Sequence, residues 1–442
     1  MKILIVSKLI NPNNNIGAVR VYNFATELAK KGHTVFCVAS ENDQINCNIN
    51  SSLFKICYAP IGKIEKKRMN YVSNVSISSK NNCKSELYRK KNKNTPVIGW
   101  LRKTVAQMWG RFIENEWYRN AVKICMSIIS QEEISLVLTS YGPLANLLVG
   151  LKLKKDIPQL IWISDMRDPV DSMHQQFLWR VRGAYLQRKM LRYSDRVITV
   201  CDGVTNRYKA MLTDNMKKKV YTITNGYKEE PILYTPNEDG ILKIGYTGQL
   251  YNGIRDMSEL FRCVDYIQRE KGKSLPIQIH YAGNDSNKLI EQARQYGVEK
   301  YIVDHGRVSK FDALRLQEKC DILCVLTWNT KKEQGVLTGK FPEYLRLCKP
   351  ILAIITGDLE NAELSKRIEE LNIGFSYECM KSESDFIKFK IWLENCINNK
   401  CLNQPIIDAT INRKGIESYS YKALSQKLEK ILMSIRKDVG NI

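Results

Sequence analysis

"KILIVSKLINPNNNIGAVRVYNFATELAKKGHTVFCVAS", residues 2 to 40, holds the pattern on which the fold turns. Its first six residues, "KILIVS", carry the apolar run of a strand buried on both faces. The turn-rich segment "NPNNNIG" follows. Val21, Phe24, Ala25 and Leu28 then recur at helical spacing, and Gly32 stops the helix. "TVFCVAS" returns to a strand. Strand, loop, helix and strand in that order make a βαβ unit, whose two strands lie parallel.

The same grammar continues outward. "LFKICYA" (53–59), "SLVLTS" (135–140), "QLIWIS" (159–164) and "DRVITV" (195–200) read as further strands, with helical segments between most of them. The first half is therefore expected to be an open, doubly wound α/β sheet. At "YTITNGYKEE" (221–230) a strand runs into an Asn-Gly turn, and "PILYTPNEDG" (231–240) reads as a polar linker. The alternation then restarts: "LKIGYTG", "IQIHYAG", "IVDHG", "DILCVLT" and "PILAIIT" as strands, separated by helical runs such as "KFDALRLQEK" and "GKFPEYLRL". This predicts one domain over 1–230 and a second over 237–414. The tail places Leu424, Leu428, Ile431 and Leu432 on one stripe, so residues 415–442 predict a helix that packs back on the first domain. Open parallel sheets bind ligands outside the carboxyl ends of their strands. Both sheets are expected to offer those ends to a cleft between the domains.

The bulk properties narrow the partners. The 442 residues exceed one ordinary domain. Thirteen Cys are scattered without a CxxC pair, and His33, His174, His280 and His305 are not spaced as ligands on one helix. They read as buried thiols of a reducing compartment rather than a disulfide or metal framework. No run approaches the ~20 apolar residues that cross a bilayer, and the N-terminus lacks a cleavage site. A cytoplasmic protein is expected, soluble or peripheral at the inner face of the cytoplasmic membrane. The net charge of +22 calls for an anionic partner: nucleic acid, a membrane surface, or phosphorylated small molecules. Ten cations stand between Gly62 and Asn94 against Glu65 and Glu86 alone, in a stretch rich in Asn and Ser. These lack the aromatic interleaving of a stacking platform, so nucleic acid is not the expected partner. "VIGWLRKTVAQMWGRFIENEW" (97–117) sets Leu101, Val105, Met108 and Phe112 on one face. It fits either a core helix of the first domain or a basic amphipathic helix on an anionic membrane surface.

Three strand ends carry candidate chemistry. "EQGVLTGKFPEYLRLCKPIL" (333–352) looks like a phosphate loop, yet only three residues separate Gly335 from Gly339, and Phe341 follows Lys340 where a Walker A loop needs Ser or Thr. A triphosphate-hydrolysing P-loop is not the expected reading. Thr338, Gly339 and Lys340 still precede a helix, where free amides favour anions. Glu343 can accept hydrogen bonds from paired sugar hydroxyls. The bland alternative is a helix start with solvated charges. "GYTGQLYNGIRD" (245–256) ends a strand at Thr247-Gly248 and brings Arg255, which can grip a diphosphate bidentately. "WISDMRDPVDS" (162–172) ends a strand in Asp165, Arg167 and Asp168. These can hold hydroxyls or move protons, or can form a structural Arg–Asp pair with a helix cap at Asp168 or Asp171.

Taken in order, these segments, with "SDMRDPV", "ITVCDGV", "TITNGY", "IGYTGQLYNGIRD", "YAGND", "GRVSKFDAL", "GVLTGKFPEYLRLCKPILA" and the tail, give the chain a resemblance over nearly its whole length. It resembles the retaining glycosyltransferases of family 4, which have the GT-B fold, and is especially similar to the branch that assembles bacterial capsule and O-antigen polysaccharides. The resemblance implies two Rossmann-like domains facing a cleft. It also implies transfer of sugar, with retained anomeric configuration, from a nucleotide-diphosphate sugar to a saccharide or lipid-diphosphate-linked acceptor, with no cofactor or metal. Residue by residue, it puts Gly17 near the donor phosphates and the acceptor. The family's basic pair falls on Gln249 and Arg255, beside Gly248. Thr338, Gly339 and Lys340 meet the diphosphate, Arg307 and Val308 line the base pocket, and Glu343 holds the ribose. Asp165, Asp168, Arg255 and Lys340 become the catalytic set, with Arg167 and Ser140 on the acceptor side. Three positions depart from the family: Gln249 for a cation, Gly335 for the first of two Glu, and Ser140 near a His. An epimerase of the same two-domain shape, and a non-catalytic nucleic-acid-binding or scaffold protein, are the competing readings.

Overall fold

Residues Lys2–Val6 form β1 and Thr34–Ser40 form β2, joined by the helix Ile16–Lys30. The two strands are parallel, with Ile3 opposite Val35 and Val6 opposite Val38. The computed structural model describes residues 1–12, 16–44, 52–63, 65–66, 116–171, 177–228, 230–232, 239–381, 383–406 and 410–440. The basic stretch and the amphipathic helix read between residues 62 and 117 lie almost wholly outside them.

Five more strands complete the first sheet: β3 (Lys55–Ala59), β4 (Leu136–Ser140), β5 (Ile161–Met166), β6 (Arg196–Thr199) and β7 (Val220–Thr222). Their order is β3-β2-β1-β4-β5-β6-β7. The second sheet contains β8 (Leu242–Thr247), β9 (Ile277–Ala282), β10 (Ile302–Asp304), β11 (Ile322–Trp328), β12 (Ile351–Thr356) and β13 (Gly374–Glu378), in the order β10-β9-β8-β11-β12-β13. Each sheet starts in its middle, winds to one edge, then returns past its start to the other edge. The reversal falls between β1 and β4 in one sheet and between β8 and β11 in the other, and such reversals open a ligand crevice at the carboxyl ends.

The period-2 alternation of side chains splits the second core over the two faces of its sheet. Leu242, Ile244, Tyr246, Cys324, Leu352 and Ile354 face one cluster, with Leu260, Phe261 and Val264 of the helix Ser258–Lys271 and Phe389 and Leu393 of the helix Glu383–Cys401. Leu323, Val325, Ile351, Ala353 and Ile355 face the other, with Phe341, Tyr344, Leu364 and Ile368. Each such side chain, fully withdrawn from water, contributes about 1.5–3 kcal/mol before the entropy of ordering is counted. In the first unit, Leu4, Val6, Val137, Val149 and Leu153 build the equivalent layer with Trp117 and Ala121 of the helix 116–132.

Two buried cations fix the lower end of the second sheet. Lys400 makes a 2.8 Å ion pair with Asp321, whose other oxygen accepts from the Lys243 amide at 2.9 Å. Lys349 donates to the carbonyls of Gln317, Glu318 and Cys320, closing the C-terminus of the helix Lys310–Lys319. Burial pushes the Lys349 ammonium down to about 8.

The chain divides into two compact units, Met1–Thr199 with Tyr208–Tyr221, and Val200–Arg207 with Thr222–Ile442. The terminal helix Tyr421–Gly440 is grouped with the second. The helices Glu363–Leu371 and Glu383–Cys401 and strand β13 are elements beyond those read from the sequence. β13 is hard to see because only its last two residues are buried and it opens on Gly374, whose positive φ and close approach to the Ile351 carbonyl leave no room for a side chain.

Candidate functional site

At the reversal of the second sheet, four side chains from three elements form one hydrogen-bonded chain. Thr247 ends β8. The buried Gln317, from the helix Lys310–Lys319, donates through Nε2 to Thr247 Oγ1 at 2.9 Å and to Glu343 Oε1 at 2.7 Å. Lys340 Nζ donates to the same Glu343 oxygen at 3.0 Å. Glu343 Oε1 is thus held by two donors, while among the described residues Oε2 receives none, and the side chain keeps 22% of its surface exposed. The helix that carries Lys340 and Glu343 is only Lys340–Leu345, and Gly339 at its cap makes no side-chain bond. The anion-binding power expected of amides ahead of a long helix is therefore small here, and the side chains dominate. Gly339 has ordinary helical φ, and a Cβ there would meet nothing within 4 Å, so its smallness is not needed for packing.

Arg255 reaches the same reversal from the other side. Its guanidinium lies 4.5 Å from the Tyr251 ring and 5.9 Å from that of Trp328, the last residue of β11. The loop before it is tightly pinned. Tyr246 donates to the Gln249 carbonyl at 2.8 Å, Tyr281 to the Gly248 carbonyl at 3.2 Å, and the Leu250 amide to Asp285 at 2.8 Å. Gly248 has φ +156°, and Gln249 is exposed. Among the described residues, Arg255 Nε, Gln317 Oε1 and Thr338 Oγ1 are buried polar atoms without a hydrogen-bond partner. An unpaired buried polar atom costs about 1–3 kcal/mol, a cost that a ligand or water donating or accepting there removes.

Arg307 and Val308 lie just past β10. Val308 lines a groove of about 420 Å³ with Lys243, His280, His305, Asp312, Arg315 and Lys319, whereas the exposed Arg307 is not part of the lining. His280 Nδ1 and His305 Nε2 are hydrogen-bonded at 3.0 Å. Burial and then the neighbouring His305 push the His280 imidazole down to about 4.

Gly335, where the resemblance would have the first Glu, is closed to any side chain. It is buried with φ +71°, and a Cβ would fall 2.6 Å from Glu363 Oε2 and 2.7 Å from the Gly203 nitrogen. Glu363 accepts from the amides of Asp202 at 2.9 Å and Gly203 at 3.0 Å, so its carboxylate closes this turn.

In the first sheet the charges at the end of β5 are differently placed from the sequence expectation. Asp165 is fully buried. Its oxygens accept from Arg20 Nε at 3.0 and 3.1 Å, from Arg20 Nη2 at 2.8 Å and from Ser140 Oγ at 2.9 Å. Both Asp165 oxygens are thus occupied inside the protein, as in the structural Arg–Asp pairing that the sequence offered as the alternative, here with Arg20 as the cation. Ser140, expected on the acceptor side, is equally buried as the fourth bond of that knot. The knot's cation comes from the second turn of the helix that follows β1, one turn beyond the half-buried Gly17. Arg167 donates to the Tyr141 and Gly142 carbonyls at 2.7 and 2.9 Å. Asp168 is exposed. Asn146 stitches the reversal itself, donating to the Ser140 carbonyl at 2.7 Å and accepting from the Lys8 amide at 3.0 Å.

Sequence reading missed Arg20, Gln317 and Glu363. Arg20 and Gln317 sit at polar positions of otherwise amphipathic helices, and a lone buried cation or amide on such a face was their one available signal. Among the described residues, no group of three or more His, Cys, Asp or Glu is placed to hold a metal ion, and no helix is long and apolar enough to cross a membrane.

No protein-family model and no curated protein matches the chain. Solved structures do. The chain is similar to the apo form of the lipopolysaccharide outer core galactosyltransferase WaaB, with TM-score 0.58 and 13% identity over 98% of this chain and 99% of that one. It is similar to a TarM mutant of S. aureus solved with Fondaparinux, alpha-GlcNAc-glycerol and UDP, with TM-score 0.54 and 11% identity over 97% and 99%. It is also similar to the N-terminal domain of Candida albicans trehalose-6-phosphate phosphatase, with TM-score 0.59 and 11% identity over 98% and 96%. At these identities the likeness is one of fold, and two parallel Rossmann-like sheets of seven and six strands in this order are the GT-B fold.

Proposed function

We propose that the protein is a glycosyltransferase that moves a sugar from a nucleotide-diphosphate donor to a saccharide or lipid-linked saccharide acceptor, with retention, in surface polysaccharide assembly. One observation carries the reading. At the reversal between β8 and β11, Glu343 keeps one carboxylate oxygen open while Gln317 and Lys340 hold the other. A carboxylate fixed in this way suits a vicinal diol such as a ribose, which offers two hydroxyl donors. Arg255 at the same reversal supplies a planar donor fork for phosphate oxygens. The TarM complex, of the same fold, was solved with UDP.

In this reading Glu343 binds the donor's ribose and Arg255 grips the diphosphate. Lys340, one helical turn from Glu343, exchanges its carboxylate for a phosphate oxygen as the leaving group gains charge. The pinned loop Gly248–Leu250 supports Arg255 without reorganisation. With Asp165 buried in its pair with Arg20, the exposed Asp168 is the carboxylate of the β5 end best placed for an acceptor hydroxyl. The leaving diphosphate is itself basic enough to take the acceptor's proton in a front-side displacement.

A thermal-shift panel of UDP-, GDP-, CMP- and dTDP-sugars tests the donor site. The right donor at a hundred times its dissociation constant adds about 2.7 kcal/mol. Glu343→Ala abolishes that shift, and a panel without a responding nucleotide overturns the assignment. NMR of the donor incubated alone separates transfer from epimerisation, because an epimer formed without acceptor is the product of the competing enzyme.

A further inference from the structure

The helix Phe177–Tyr193, "FLWRVRGAYLQRKMLRY", contains five cations and no acidic residue. Gly183, Leu186, Gln187, Met190 and Leu191 turn inward. The opposite face carries Phe177 (73% exposed), Leu178 (70%), Val181 (55%) and Tyr185 (54%) toward the N-terminal half. Arg182, Arg188, Lys189 and Arg192 share that face and are also exposed. At 100° per residue, these eight side chains fall within a single arc of about 140°. Among the described residues none of the four cations is paired with a carboxylate. Arg182 lies over Trp179 and Lys189 over Tyr185, at 5.8 and 4.6 Å.

We propose that this face docks on an anionic lipid bilayer, with Phe177, Leu178, Val181 and Tyr185 entering the headgroup boundary and Arg182, Arg188, Lys189 and Arg192 lying against lipid phosphates. The occupant follows from the chemistry of the face. A groove in a protein partner accepts an apolar stripe, but four unpaired cations around it require a dense field of negative charge at a flat boundary. The chain's net charge of +22 adds long-range attraction to the same surface. Docking rests on this surface alone and not on the transfer reading, so a protein inactive on every nucleotide sugar leaves it standing.

The test is co-sedimentation of the full chain with vesicles of phosphatidylcholine, with and without about one third phosphatidylglycerol. The wild type binds the anionic vesicles, and binding falls with salt. Each cation near such a surface is worth about fivefold in partitioning, so the triple variant Arg188→Gln, Lys189→Gln, Arg192→Gln binds about a hundredfold more weakly. Phe177→Ser with Leu178→Ser weakens binding by more than tenfold. Both variants keep the wild-type melting temperature because every altered side chain is exposed. Failure of the wild type to sediment overturns the proposal. So does binding by both variants at wild-type strength, or a wild-type dimer that the Phe177→Ser, Leu178→Ser variant converts to monomer.

Discussion

Asp165→Asn separates a structural carboxylate from a catalytic one. The substitution preserves shape and removes the charge. Arg20, with a side chain 1% exposed, loses its ion pair with Asp165. The amide can accept on one side only, so its NH2 faces an Arg20 donor. Breaking a buried pair from one side costs about 3–5 kcal/mol, against a total stability of about 5–15 kcal/mol for a domain. Ser140→Ala removes one of the four bonds to the carboxylate and costs about 1 kcal/mol. Replacing both charges, Arg20→Met with Asp165→Leu, recovers most of the loss, because two matched apolar groups need no partners.

Urea unfolding followed by circular dichroism reads these values directly. With m near 3 kcal/mol/M, Asp165→Asn moves the midpoint down by about 1–1.7 M at unchanged slope. Where the two units unfold separately, only the transition of the first unit moves. Donor turnover by the folded fraction stays within a few-fold of wild type. An Asp165→Asn protein that unfolds at the wild-type midpoint yet loses turnover by orders of magnitude would refute the reasoning, because the carboxylate would then act on substrate.

Three further outcomes follow from the second unit. Glu343→Gln keeps one acceptor oxygen, loses the charge and places an amide NH2 on the diol or against Gln317; donor affinity measured by calorimetry falls about 10–100-fold. Gly335→Glu restores the family's residue type on a left-handed backbone crowded by Gly203 and Glu363, so the melting temperature drops by about 5–10 °C and turnover does not rise. His280 has a folded-state value near 4 against 6.5 when unfolded. The unfolded chain therefore binds more protons between those values, stability is full above about 6.5, and it is lost as pH falls toward 4. His280→Asn flattens that part of the pH–stability curve, and an unchanged slope in urea titrations at pH 5 and 7 counts against the assignment.

The sheets were legible because parallel strands buried on both faces write themselves as continuous apolar runs, and the helices between them repeat at a different period. The reversal points follow from that order, so the region of the site was legible too. The roles of its residues were not, because strand ends collect polar side chains for two reasons: closing the end of a sheet, and meeting a ligand. Sequence spacing cannot tell these apart. Spacing offers Arg167 as the aspartates' structural partner, while the cation that reaches Asp165 is Arg20, 145 positions away. The discriminating quantity is how many lone pairs remain after folding. Asp165 has both oxygens occupied and no exposure, so its chemistry is spent inside the protein. Glu343 has two donors on one oxygen and none on the other, and retains a path to solvent. Both are acids near strand ends, and only the second keeps binding capacity to offer. The substitutions of Asp165 and Glu343 therefore test one idea from opposite sides: the first should change folding and spare the donor, and the second should spare folding and lose it.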